Sequence, residues 1–209
     1  MPHADAREPT AVPTPDMLLS AYAQGVFPMA DSDTGIISWY SADPRGIIPL
    51  EPGAFHVPRR LAKTLRRPVS RGGFDVVIDG DFAATMRACA AARAGHTWIS
   101  EPLVEAYAAL HRLGYAHSVE TRLEGRLVGG LYGVALGAAF FGESMFHEVT
   151  DASKAALAAL VARLRERGFE LLDAQALTPH LAQFGCVEIP RREYLSRLAR
   201  ALKRDCRFT

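Results

Sequence analysis

The chain has 209 residues, 49% of them hydrophobic and 22% charged, with a formal charge of +1. That is enough apolar material for one full core with a small appendage, so a disordered chain is excluded, and the total charge does not announce a nucleic-acid binder. Three scattered cysteines, Cys89, Cys186 and Cys206, form no C-x-x-C pair, which fits a reducing compartment better than a disulfide framework or a zinc site.

Residues 1–14 are rich in Pro and Ala, show no period and lack the apolar centre of a secretory signal, so a disordered arm is expected there. No uncharged apolar run is long enough to span a bilayer, and the expectation is a soluble, cytoplasmic monomer. Residues 15–73 read as a small, irregular N-terminal domain. A short helix fits residues 15–24, stopped by Gly25. Pro28, Pro44, Pro49, Pro52 and Pro58 then exclude long regular elements, with Phe27, Trp39, Tyr40 and Phe55 interleaved among them.

From Phe74 the pattern alternates. Residues 74–78 form a strand and 80–92 a helix, with Asp79 or Asp81 as its cap. A helix after Ser100 carries Leu103, Tyr107 and Leu110 on one face and ends at Gly114. Strands at 117–122 and 126–134 meet in a hairpin at Glu124-Gly125, and a third runs from the Gly137 turn through Phe141. The pair Gly129-Gly130 inside a strand reads as a bulge or a close approach of backbone. Leu157, Leu160, Val161 and Leu164 mark a long helix stopped by Gly168. A strand (169–173), a short helix (179–184), a strand (187–189) and a helix carrying Leu195, Leu198 and Leu202 complete the chain. This order predicts an α/β (α+β) domain over 74–209, a mixed sheet flanked by helices. It also resembles the order of the GNAT acetyltransferase fold.

Two polar knots interrupt apolar runs: Asp173 and Gln175 in one, and Glu143 between Phe141 and Met145-Phe146 in the other. A buried acid needs a partner or a purpose. On a strand, Asp173 and Gln175 share parity and hence a face. An amide can orient an amine, and a neighbouring carboxylate can hold the amide and attract an ammonium, which suits aminolysis of an activated carbonyl better than hydrolysis. The competing reading is a strand-end cap, with Asp173 on local backbone and Gln175 in solvent. Glu143 either presents its charge to a cationic ligand or pairs with an arginine of the sheet. The junction from Glu143 to Lys154 has no glycine and three acids, which oppose the pyrophosphate of coenzyme A. No nucleophile elbow and no metal-ligand spacing of histidines is present, and His147 and His180 read as local hydrogen-bonding residues. Two basic stripes, Arg59, Arg60, Lys63, Arg66, Arg67 and Arg71, then Arg191, Arg192 and the tail, could follow a phosphate backbone or be solvated faces.

An ordered set of stretches then resembles the bacterial leucyl/phenylalanyl-tRNA–protein transferase family. They are Ala21-Tyr22-Ala23-Gln24-Gly25-Val26-Phe27-Pro28, Trp39-Tyr40-Ser41-Ala42-Asp43-Pro44-Arg45-Gly46, His96-Thr97-Trp98-Ile99, Gly129-Gly130-Leu131-Tyr132-Gly133-Val134, Phe141-Gly142-Glu143-Ser144-Met145-Phe146, Asp151-Ala152-Ser153-Lys154, Asp173-Ala174-Gln175 and Glu188-Ile189-Pro190-Arg191. The resemblance implies transfer of Leu, Phe or Met from aminoacyl-tRNA to the α-amino group of proteins beginning with Arg or Lys, creating an N-terminal degradation signal. It implies a GNAT-like domain that uses no cofactor and no metal. Asp173 and Gln175 would act in peptide-bond formation, Glu143 in substrate recognition, and Leu131, Phe140 and Met145 in an apolar pocket for the transferred side chain. Ser144, Phe146, Tyr22, Phe27, Met29, Trp39 and Trp98 complete the expected substrate-binding set, and Arg59, Arg60, Lys63, Arg66, Arg67, Arg191 and Arg192 the expected tRNA-binding set. Met29 departs from the family's usual Trp, and Ala42 from a common Pro. Two further readings share the fold: a GNAT-like acyltransferase with another acyl donor, and a non-catalytic tRNA- or peptide-binding module.

Overall fold

The structure is a computed structural model that describes residues 12–93 and 95–209, so nearly all of the arm expected over 1–14 lies outside the described residues. Helix α1 (Pro15–Ala23) begins at Thr14, whose hydroxyl accepts the Met17 N–H, with Pro15 supplying a ready-made φ. Strands β1 (Phe27–Ala30) and β2 (Ile37–Tyr40) pair as a separate hairpin. There follow β3 (Arg45–Ile48), α2 (Arg59–Leu65), β4 (Asp75–Ile78), α3 (Phe82–Ala91) and α4 (Glu101–Arg112). Next come β5 (Ala116–Leu123), β6 (Arg126–Leu136), β7 (Ala139–His147) and α5 (Ala152–Glu166). The chain finishes with β8 (Leu171–Gln175), α6 (Pro179–Ala182), β9 (Val187–Ile189) and α7 (Arg191–Ala201).

Seven strands form one sheet in the order β4-β5-β6-β7-β8-β3-β9, antiparallel throughout except for the parallel pair β7 and β8, which α5 connects. The mixed sheet flanked by helices is thus as expected, with three differences. Strand β3, from the proline-rich stretch, inserts between β8 and β9; all four of its residues are buried, so no alternation marks it in the sequence. Strand β7 continues past Phe141 to His147. Strand β8 starts at Leu171 rather than at 169, because the Phe169 N–H bonds the Leu164 carbonyl in the turn that ends α5.

One face of the sheet is covered by α5, whose Leu157, Leu160, Val161 and Leu164 share a core with Val119, Leu131 and Phe140. At about 1.5–3 kcal/mol per buried side chain, those four residues alone match the net stability of a small domain, so α5 is a firm wall. Its first turn presses on Gly129, where a Cβ would lie 2.5 Å from that of Ala152. This is the close approach that the glycine pair suggests. The other face carries α1, α3, α4 and α7, with Leu18, Tyr22, Met86, Leu103, Tyr107 and Tyr194 in one core with Tyr132 and Phe141. Among the described residues no helix is long and apolar enough to cross a membrane.

The parallel pair is short. Strands β7 and β8 are matched only at Ala139–Leu171, Phe140–Leu172 and Phe141–Asp173. Beyond that point β7 stays with β6 and β8 with β3, so the sheet opens between them.

Candidate functional site

Both polar knots border that opening, and each lies at a β-bulge. Ser144 faces Tyr132 and Gly142 faces Gly133, which leaves Glu143 as the extra residue of β7. Gln175 faces Gly46 and Asp173 faces Ile47, which leaves Ala174 as the extra residue of β8. Gln175 itself has a left-handed backbone, φ 64°. Bulges re-aim side chains, and a left-handed non-glycine residue costs about 1–3 kcal/mol unless its surroundings hold it there. Gly46 makes the close approach possible, since a Cβ would come within 2.6 Å of the Ala176 carbonyl carbon.

Asp173 is fully buried and fully engaged. Arg45 donates Nε to Oδ1 at 2.9 Å and Nη2 to Oδ2 at 2.6 Å, and the Tyr194 hydroxyl donates to Oδ2 at 2.7 Å. The Gln175 N–H donates to Oδ1 at 2.8 Å. Arg45 is buried too. Its Nη1 donates to the Gly25 carbonyl at 3.1 Å, and its guanidinium lies 4.5 Å from the ring centre of Tyr194 and 5.0 Å from that of Phe27. Asp173 therefore does bond local backbone, but its main partner comes from β3. The sheet arginine considered for Glu143 belongs to Asp173 instead.

Glu143, 8% exposed, has no ion-pair partner among the described residues. The Gln175 side chain donates Nε2 to its Oε1 at 3.0 Å, and the Tyr107 hydroxyl lies 3.5 Å from its Oε2. Tyr107 in turn shares a short hydrogen bond with Tyr22. Burial pushes the Glu143 carboxyl up to about 8, and the charge of Asp173 pushes the same way against Arg45 and the tyrosine hydroxyls. Burial likewise keeps both tyrosines neutral. A cation placed beside Glu143 would restore its charge.

Asp173, Glu143 and Gln175 line a cavity of about 520 Å³. Ile48, Leu131, Met145, Leu157, Leu160 and Leu172 give it an apolar lining, and Arg93, Trp98, Glu143, Ser144, Gln175 and His180 supply polar groups and an indole. Of the residues named from the sequence, Leu131, Glu143, Ser144, Met145, Asp173, Gln175 and Trp98 meet here. The others do not line the cavity. Phe140 is buried behind it, 5.2 Å from the Phe208 ring, and Phe146 is in the core of the opposite face. Tyr22 backs Glu143 through Tyr107, and Phe27 packs on Arg45. Met29 and Trp39 sit half-buried on the β1–β2 hairpin, which the Ala30 N–H ties to the Trp98 carbonyl at 3.1 Å.

The basic residues lie apart from the cavity. Arg59, Arg60 and Lys63 on α2, with Arg66 and Arg67 just after it, are exposed and have no carboxylate partner among the described residues. Arg191 donates Nε to the Ser41 hydroxyl at 3.2 Å, and Arg192 is exposed. His147 has a 3.5 Å contact with Ser153, as a local role requires. His180 differs from its expected local role: it reaches the cavity wall, its Nε2 is buried without a partner, and burial holds its pKa down.

Sequence reasoning missed Arg45, Tyr107 and Tyr194, although the rule that a buried acid needs a partner pointed to an arginine and Arg45 stood inside a quoted stretch. Among the described residues, Asp79, His111 and His117 are close enough together to hold a metal ion. Their atoms are already used: His117 bonds Asp79 and the Gly114 carbonyl, and His111 Nδ1 bonds the Ala116 carbonyl. At the start of α5, Asp151 occupies the cap position and accepts from the Lys154 ammonium at 2.8 Å, which sets a carboxylate at the end of a helix that would otherwise favour an anion.

The family model described as leucyl/phenylalanyl-tRNA protein transferase matches residues 48–199, and the model of that family's N-terminal domain matches residues 12–43. Curated proteins named leucyl/phenylalanyl-tRNA–protein transferase are similar along most of their length. The one from Salinibacter ruber is 52% identical over 189 residues, covering 90% of this chain and 80% of its own. That from Paramagnetospirillum magneticum is 54% identical over 198 residues, 93% of this chain and 92% of its own. That from Phenylobacterium zucineum is 56% identical over 194 residues, 91% and 85%.

Proposed function

The chain belongs to the leucyl/phenylalanyl-tRNA–protein transferase family and moves an aminoacyl group from tRNA to protein; from that premise we propose how its cavity does so and which proteins accept. The transferred side chain, Leu, Phe or Met, enters the cavity. The aliphatic lining suits an apolar group, and discrimination at the scale of a methylene is worth only about 1–3 kcal/mol. The ester then lies beside Gln175 and Glu143.

The donor ester is already activated, so the work left is to bring an amine onto its carbonyl. Gln175 orients the attacking α-amine through its amide oxygen. Asp173 acts through Gln175: its carboxylate fixes the Gln175 backbone and never needs to touch substrate. Glu143 holds the Gln175 amide and meets the cationic groups that enter, its carboxyl ionising as they bind. Acceptors beginning with Arg or Lys are favoured because they bring a second positive charge towards the Glu143 carboxyl, which has no ion-pair partner among the described residues. The product then carries a bulky apolar N-terminal residue, a degradation signal.

The observation that carries this reading is Gln175 in the wall of a largely aliphatic cavity, its side-chain amide held by the Glu143 carboxylate and its backbone N–H by that of Asp173. The test is transfer of labelled Leu from leucyl-tRNA to peptides that differ only in their first residue. Arg and Lys peptides should be labelled and Asp or Leu peptides should not. Equal labelling of all four would remove the acceptor assignment while leaving the transferase activity in place.

A further inference from the structure

The cavity wall holds three formally charged side chains besides His180. Asp173 is neutralised by Arg45, and Glu143 is held by an amide and a phenol. Arg93 is left with only a neutral partner: its Nη2 donates to the Ser144 hydroxyl at 3.1 Å, and no carboxylate pairs with it among the described residues. The cross-strand neighbour of Ser144 is Tyr132, whose ring is buried and whose hydroxyl has no hydrogen-bond partner among the described residues. Arg93 is exposed, so an acceptor on a ligand can reach its guanidinium beside the Ser144 hydroxyl.

Resting on the transferase reading above, we infer that Arg93 is a subsite for the phosphodiester on the 5′ side of the donor's terminal nucleoside. That phosphate lies a handful of covalent bonds from the aminoacyl ester. Glu143, Gln175, Ser144 and Arg93 all line the one cavity, so a donor whose ester meets Glu143 and Gln175 can set its 5′ phosphate against Arg93. Trp98, on the same wall, offers a face on which the base can stack. A guanidinium suits a phosphate because its planar fork gives two charge-assisted hydrogen bonds.

The experiment compares two small donors, the 3′-leucyl ester of adenosine and the 3′-leucyl ester of 5′-AMP, with one Arg-starting peptide. Wild-type protein should use the phosphorylated donor with a kcat/KM about tenfold higher, mainly through KM. Arg93→Met should lose that preference while handling leucyl-adenosine within about twofold of wild type. Arg93→Lys should keep part of the preference, since the charge survives and the fork does not. A wild-type protein with no preference, or an Arg93→Met protein that keeps it, would overturn the inference. Parallel losses with both donors at an unchanged ratio would also overturn it, since Arg93 would then act by holding Ser144. A wild-type protein inert even towards leucyl-tRNA would overturn the transferase reading, and this subsite with it.

Discussion

Asp173 and Glu143 share one cavity wall, yet they respond to substitution in opposite ways. Replacing Asp173 with Ala strands the buried Arg45 without a counter-charge, a change that costs about 3–5 kcal/mol. Its loss of transfer should therefore come with a clear drop in denaturation midpoint. Gln175→Ala keeps the Arg45 pair and the backbone bond to Asp173, so it should melt near wild type while kcat falls about a hundredfold. Glu143 has its own signature. Its carboxyl is raised to about 8 in the folded chain against 4.5 unfolded, so the folded state binds the extra proton. Stability from this group is complete below about pH 4.5 and falls by up to about 1.4 kcal/mol per pH unit as pH rises towards 8. Glu143→Gln removes that slope. Urea unfolding should show the variant gaining on wild type from pH 5 to pH 8, and parallel pH profiles would contradict the assignment.

At the scale of elements, the two bulges decide what the strands deliver. Gly46→Ala tests this directly, because its new Cβ would meet backbone at Ala176 and Leu177, which cannot swing aside as a side chain could. Transfer should fall at least tenfold, with a stability loss of about 1–3 kcal/mol, whereas Gly35→Ala, strained by its left-handed φ of 71° but with open space for its Cβ, should lose stability and leave transfer untouched. The hairpin at Glu124-Gly125, the stripe of α5 and the Gly168 stop were legible in the sequence because local chemistry sets them. Strand β3 and the bulges were not, because a two-against-one match exists only once the partner strand is in place. Equal parity placed Asp173 and Gln175 on one face. In the structure the bulge and the left-handed φ aim Gln175, and its side chain meets Glu143 rather than the Asp173 carboxylate. The acids of the site could be named from the sequence; their partners, Arg45, Tyr194 and Tyr107, come from β3, α7 and α4 and could not.

For the whole molecule, a formal charge of +1 conceals an uneven surface. The cations on and just after α2 are exposed and unpaired among the described residues, and α2 packs on α5, a helix that lines the cavity. Replacing Arg59, Arg60 and Lys63 by Ser should raise KM for leucyl-tRNA and flatten its salt dependence by about 0.7–0.9 log units per lost phosphate contact. KM for leucyl-adenosine, too small to reach α2, should not change; an equal rise for both donors would mean that α2 acts through the fold. The reading as a whole is that this fold brings an amine, an amide and a charged ester together in one cavity. Single-turnover transfer of Leu from saturating leucyl-tRNA to an Arg-starting peptide, by wild type and by Gln175→Ala of equal thermal stability, tests it most directly. A fall of about a hundredfold in the variant is expected. Undiminished transfer would show that the Gln175 amide does not position the reacting amine.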